Sequence, residues 1–362
     1  MLKKEKISST QLFILVTGYL FGDAIIISPG SGARQDAWLA FLFGWIGGYI
    51  LIGMYVYIAK LNPSKTLIEI SIDIFGQIIG RIIAIMYIWY FLHLSALTFR
   101  SFGEYMVVVN YVNTPRIFIG IAFAVVIAIG LKYGIEVIAR TITIMSLIVP
   151  FTITLMTVMS IKHVDFSNLL PSLKNGVKPI IKSGFGVMTF PFGETIVFLM
   201  VFPNLTEKKL FKTSFKAVTI AGIAFILIII RNIVVLGPNI LERSYFSSHV
   251  ISTIIEGTII DPFISVSLII LGGIELFILI YATLVGIAQV SNLDDYKPLI
   301  LPVIIISLSL SNWIYDNLPD MFRVAKEIYP YYAIPFQIII PLIVLVVSII
   351  RNKKGNKKVL NE

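Results

Sequence analysis

The chain has 362 residues, 57% of them hydrophobic and only 14% charged, with a net charge of +9 and a mean hydropathy of +0.92. A soluble domain carries about 25% charged residues, so this chain cannot cover itself with polar groups, and much of its surface must face lipid. Cysteine is absent, which excludes disulfides and thiolate chemistry; His93, His163 and His249 lack metal-ligand spacing, and no metal or other cofactor is expected. The basic residues sit in short loops between apolar runs, a pattern that orients a membrane protein and argues against nucleic acid as a partner.

Ten apolar segments are predicted to cross the bilayer: 10–32, 37–59, 81–106, 116–134, 137–161, 183–203, 217–238, 261–288, 299–315 and 331–350. Each is close to the roughly 20 residues that span a hydrocarbon core. The first is too long for the apolar core of a signal peptide and contains Asp23, so it reads as a span. Lys and Arg fall about two to one on the side that carries both termini, which makes that side cytoplasmic. Between the seventh and eighth spans, Val250, Ile251, Ile254 and Ile255 predict a short amphipathic helix lying on the bundle. Residues 1–362 therefore read as one transmembrane domain, with halves at 1–161 and 183–350 and a basic tail at 351–362.

Spans one and six are not uniform apolar helices. Span one reads Gly22-Asp23-Ala24-Ile25 and then Pro29-Gly30; span six reads Phe190-Pro191-Phe192-Gly193-Glu194. Glycine and proline loosen these helices, and Pro191 also lacks an N–H. Backbone broken at membrane depth is tolerated only where it lines a cavity or contacts protein. Two such breaks five spans apart point to an inverted-repeat transporter fold with a site at the midplane, against the simpler reading of two unoccupied kinks.

These motifs carry a resemblance. Gly22-Asp23-Ala24-Ile25 with Pro29-Gly30 is similar to the first-span Gly-Ser-Gly-Ile…Pro-Gly motif of amino acid–polyamine–organocation transporters, and Phe190 to Glu194 is similar to the sixth-span break of that superfamily. The whole chain more closely resembles the B subunits of spore germinant receptors. Ser8-Ser9-Thr10-Gln11, Asp36-Ala37-Trp38, Pro191-Phe192-Gly193-Glu194 and Tyr329-Pro330-Tyr331-Tyr332 carry that likeness. The resemblance implies an all-α polytopic protein of the spore inner membrane with a LeuT-like five-plus-five inverted repeat. It also implies binding of a germination nutrient and work alongside an A subunit and a lipoprotein C subunit. Asp23 and Ala24 depart from the transporter pattern, which has a small polar residue and a glycine there. An inward-pointing Asp23 would repel the substrate carboxylate that transporters hold at this turn, and would favour an ammonium group or a cation.

Ionisable groups inside spans cost about 2.5–3.5 kcal/mol each at the helix centre, so they mark cavities or partners. Asp23, His93, Arg100, Glu104, Glu194, Arg231 and Glu275 are the candidates. His93, Arg100 and Glu104 share a face of span three, where Arg100 and Glu104 pair locally or contact ligand. Glu194 follows the span-six break and either reaches the cavity or bridges to Arg231 or Arg100. Arg231 requires an anionic partner. Glu275 follows Gly272-Gly273, which permits close helix approach. The candidate ligand-binding set is Gly22, Asp23, Ala24, Ile25, His93, Phe190, Pro191, Phe192, Gly193, Glu194 and Glu275, with no catalytic or metal set. The sequence is thus read as a non-enzymatic nutrient sensor that favours an amino acid. The alternatives are a secondary amino acid or amine transporter coupled to H⁺ or Na⁺, and a structural subunit with a vestigial pocket.

Overall fold

The computed structural model describes residues 5–207, 209–255 and 260–359, which are helical throughout apart from loops and an isolated β-bridge between Ile7 and Leu205. Lys3, Lys4 and Lys208 of the expected cytoplasmic set lie outside the described residues, as do positions 256–259 and 360–362 and the side chains of Lys354, Lys357 and Lys358.

The first membrane segment is split into α1 (Ser9–Phe21) and α2 (Ala24–Ile27). A capping box starts α1, in which Ser8 accepts the Gln11 N–H and the Gln11 side chain accepts the Ser8 N–H. Next come α3 (Ala37–Leu61), α4 (Leu67–Val109), α5 (Arg116–Tyr133) and the fifth segment, α6 (Ile135–Met145) with α7 (Ile148–Met159). The sixth segment is α8 (Val177–Val187), a π turn at Met188–Phe192 and a 3₁₀ stretch at Gly193–Met200. Then follow α9 (Leu210–Arg243), α10 (Ser247–Ile254), α11 (Ile260–Val290), α12 (Ile300–Trp313) and α13 (Leu318–Glu327). The last segment comprises α14 (Tyr329–Tyr332), a π turn at Pro335–Ile339 and α15 (Ile340–Val359).

Among the described residues eight helices are long and apolar enough to cross a membrane, or nine if the pair at Lys297–Trp313 and Leu318–Glu327, bent by 99°, is one span. The split first segment, whose longer half is only 13 residues, is too short to be counted among these; added to the nine it gives the ten segments expected. Helix α4 starts well before the predicted residue 81. A capping box at Thr66 and Glu69 begins it, and Gly76, at φ 81°, turns the chain before the apolar stretch. Apolarity alone missed this charged first part. The amphipathic stretch after span seven is α10, with Ile251 and Ile255 buried.

The first and last described segments, around Ile7 and Arg351, meet one face of the bundle. Ile7 pairs with Asn204 and Thr206 through backbone hydrogen bonds of 2.9 and 3.1 Å. The Glu5 carboxylate accepts from the Ile135 N–H at the start of α6, and burial pushes its carboxyl up from the ordinary range. Arg351 donates to the Asp73 and Ile74 carbonyls at 2.6 and 3.0 Å, which ties α15 to α4 at this face. On the opposite face Asp36 accepts from the Ser172 hydroxyl at 2.7 Å and the Leu173 N–H at 3.0 Å, fastening the 160–176 loop over the start of α3.

Close helix approach brings span six against α3. A Cβ at Gly44 would lie 2.4 Å from Val187, and one at Gly184 would lie 2.8 Å from the Ala40 carbonyl. Both positions therefore require glycine, and the crossing fixes where the span-six break sits. Gly44→Leu is expected to destabilise the fold by about 1–3 kcal/mol through overpacking. Thermal unfolding of the purified protein in detergent, read against Gly53→Ala where the space is open enough for a methyl, checks this.

Candidate functional site

The break in span one exposes a backbone donor that no helical carbonyl can satisfy. The Asp23 N–H donates instead to Glu275 Oε2 of α11 at 2.7 Å. The Thr98 hydroxyl of α4 donates to the other oxygen, Oε1, at 3.0 Å. Glycine at position 22 leaves room for this carboxylate, since a Cβ there would stand 1.7 Å from Glu275 Oε2 and displace it. The Asp23 carboxylate turns towards α4, where the Ser101 hydroxyl donates to Oδ2. Its second oxygen, Oδ1, is buried and has no hydrogen-bond partner among the described residues.

The break in span six exposes acceptors. The backbone leaves helical geometry at Phe190, and Phe190-Pro191 is cis. Two freed carbonyls are taken up by neighbouring side chains. Tyr55 of α3 donates towards the Gly193 carbonyl at 3.2 Å and the Gln337 carbonyl at 2.7 Å. Gln337 Nε2 donates to the Thr189 carbonyl at 3.0 Å and to the Tyr90 hydroxyl at 2.8 Å. Gln337 also fills the space beside Gly193, where a Cβ would lie 2.0 Å from its Oε1. Beyond the break, Glu194 is buried and accepts from the Tyr329 hydroxyl, which lies 3.1 Å from that of Tyr90.

These elements enclose a cavity of about 430 Å³ that reaches the face opposite the termini. Asp23, Glu194 and Glu275 line its buried end, with Thr98, Ser101 and Phe190 beside them. Its exposed mouth carries Lys178 and Lys182 of α8 and Lys326 and Glu327 of α13. Three acids thus meet at the depth of the cavity with no basic side chain lining that end, and the cations stand at the entrance.

Of the eleven residues expected from sequence, the structure brings Asp23, Phe190, Glu194 and Glu275 to this cavity. Gly22, Pro191 and Gly193 shape the breaks behind it, and Phe192 packs against Phe41 with ring centroids 5.7 Å apart. Ala24 is buried in the core, and Ile25 faces a separate small cavity. His93 does not reach the site; it stacks on Trp89 and packs edge-on against Tyr332, at 6.0 and 5.1 Å. Arg100 takes the local alternative, pairing with Glu104 at 2.9 Å, while Arg116 reaches the same carboxylate. Glu194 bridges to neither arginine.

The expected anionic partner of Arg231 is corrected. Its Nε and Nη2 both donate to the neutral Asn232 side chain, at 3.1 and 2.8 Å. Thr98, Ser101, Tyr329 and Gln337 were missed. They are ordinary polar residues of apolar helices, and their roles arise only from what lies across the bundle. The Tyr329-rich motif before span ten was the one signal pointing to them.

A family model described as "Spore germination protein" matches residues 6–320. Spore germination protein KB of Bacillus subtilis (strain 168) is 31% identical over 98% of each chain. Spore germination protein YndE of the same organism is 27% identical over 98% of this chain and 99% of its own. Among solved structures, MhsT in complex with L-phenylalanine superposes with a TM-score of 0.63, covering 96% of this chain and 99% of that one at 12% identity. That likeness shows the fold, a transporter-type bundle with broken first and sixth segments. With a family match over residues 6–320, 31% identity to a spore germination protein over nearly its whole length and eight to nine candidate membrane spans among the described residues, the chain belongs to the spore germination protein family of integral membrane proteins.

Proposed function

We propose that this chain is the nutrient-sensing membrane subunit of a spore germination receptor and has no enzymatic activity. The observation that carries the reading is the cavity of about 430 Å³ at the two breaks, with an unpartnered buried oxygen of Asp23 at its depth. A buried acceptor without a partner costs free energy that a matching ligand donor recovers. The ligand is a small nutrient with an amine, an amino acid foremost. Glu275 already occupies the Asp23 N–H, so a ligand carboxylate finds no backbone donor there. The ammonium group goes inward to Asp23 and Glu194, and a carboxylate end faces Lys178, Lys182 and Lys326.

Sensing requires the ligand to bind one arrangement of the bundle better than another. About 4 kcal/mol of preference turns a tenfold bias one way into a hundredfold bias the other. Charge-assisted hydrogen bonds to Asp23 and Glu194 are of the strength needed. The two sets of five segments, 1–161 and 183–350, are the bodies that shift. The change is read by an A subunit and a lipoprotein C subunit in the spore inner membrane, with both termini of this chain cytoplasmic, as the Lys and Arg bias places them.

A second reading is favoured by one feature. Three carboxyl groups at the depth of a transporter-type bundle are also what proton-coupled uptake of an amine uses. Labelled amino acid accumulating in proteoliposomes that contain this chain alone, driven by a pH gradient, would establish transport; binding without accumulation leaves sensing.

A thermal-shift screen of amino acids, amines, sugars and nucleosides on the purified protein is expected to identify a stabilising amine. Glu194→Gln should weaken that ligand at least about tenfold, equivalent to about 1.4 kcal/mol. An unchanged dose dependence removes Glu194 from the site. Asp23→Asn should discriminate between ligand classes: amine ligands lose affinity by about ten- to a hundredfold, the worth of one charged hydrogen bond, and uncharged ligands change little. Isothermal titration across matched amine and hydroxyl analogues measures the difference.

A further inference from the structure

Arg231 stands near the middle of the 34-residue helix α9, and its side chain is buried. Two of its three guanidinium nitrogens share a single neutral acceptor, Asn232 Oδ1, and Nη1 makes no hydrogen bond among the described residues. No carboxylate of a described residue lies within 4 Å of it. A buried charge is tolerated when it is paired, and an amide dipole does not neutralise a guanidinium.

Arg231 lines a second cavity, of about 30 Å³, between α2, α7, α9, α10 and α11. Three hydroxyls, Thr152, Ser248 and Ser267, share its wall, and the remaining lining is apolar. On the scale on which a single water needs roughly 10–15 Å³, the space admits about two waters. A monatomic anion fits within it. The hydroxyls give their protons to carbonyls or to one another, Thr152 to Ile148, Ser267 to Thr152 and Ser248 to Ile25, so the positive charge and unbonded Nη1 of Arg231 are what this wall offers a small anion.

We propose that a chloride-sized monovalent anion occupies this cavity and neutralises Arg231. The site also reaches the nutrient cavity. Asn232 Oδ1 accepts from Arg231, and Asn232 Nδ2 in turn donates to the Ser28 hydroxyl at 3.1 Å. Ser28 ends α2 in a left-handed conformation at φ 51° and lines the larger cavity. The Ser248 hydroxyl donates to the Ile25 carbonyl of the same short helix at 3.4 Å. The anion therefore fixes Arg231, Arg231 fixes the amide of Asn232, and both cavity walls hold the outer half of span one in place. This inference stands on Arg231 and its cavity and not on the nutrient reading.

The test is binding of radiolabelled chloride to the purified wild-type protein exchanged into gluconate, by scintillation proximity. Saturable binding approaching one ion per chain is expected, displaced by bromide and not by gluconate or sulfate. Chloride should also raise the thermal unfolding temperature relative to gluconate at equal ionic strength. Arg231→Met should abolish both effects. Arg231→Lys, which keeps the charge but withdraws the guanidinium from the cavity, should weaken chloride by about tenfold and keeps the test open if Arg231→Met does not fold. The absence of saturable chloride binding by folded wild type overturns the proposal, as does binding of undiminished affinity in either folded variant.

Discussion

The Asp23 amide and the Glu275 carboxylate, 2.7 Å apart in the middle of the bundle, answer the hardest demand this fold makes. A helix interrupted at membrane depth frees backbone groups that lipid cannot hydrogen-bond. In span one the freed group is a donor, and α11 supplies an acceptor from across the bundle. The arrangement sets everything near it. Gly22 leaves room for the carboxylate, Thr98 holds its second oxygen, and Asp23 turns its side chain away towards Ser101. The cavity lies beside that contact, and its polarity follows from it.

Span six meets the complementary demand. Its break frees carbonyls, and Tyr55 and Gln337 supply the donors. Two breaks of opposite polarity are thus closed by side chains of opposite character. The consequence for ligand chemistry is direct. The Asp23 N–H and the Thr189 and Gly193 carbonyls are satisfied within the protein, and the side chains at the cavity's depth are acids, so side chains dominate recognition there. This separates the chain from the pattern in which a broken first span offers its own N–H groups to a carboxylate.

The walls at the cavity's mouth are exposed where its floor is buried. The floor is built from α4, α11 and the buried ends of the two breaks. The mouth is built from α8 and α13 and their exposed lysines, and α13 meets α12 at a bend of 99°. Glu194 joins the two levels, because it follows the span-six break and accepts from Tyr329, the first residue after α13 and its single-residue connection. A group bound between Asp23 and Glu194 bears on that contact, and so on the segment that shapes the entrance.

Hydropathy determined the number and order of the membrane segments, because twenty apolar residues have no stable place in water. Glycine, proline and acid at 22–30 and 190–194 located both breaks, since each residue type opposes a continuous apolar helix. Asp23, Phe190, Glu194 and Glu275 were legible as cavity residues for the same reason. The tertiary structure alone decided what those residues meet. Sequence spacing relates residues on one helix, whereas Glu275 finds Asp23 across 252 positions and Tyr329 finds Glu194 across 135. His93 had the composition of a site residue, but its face of α4 turns to Trp89 and Tyr332. Arg231 was expected beside an acid because a buried charge requires compensation. The fold gave it an amide and an adjoining cavity instead, since which neighbour a side chain meets depends on helix packing, which the order of residues along one helix does not encode.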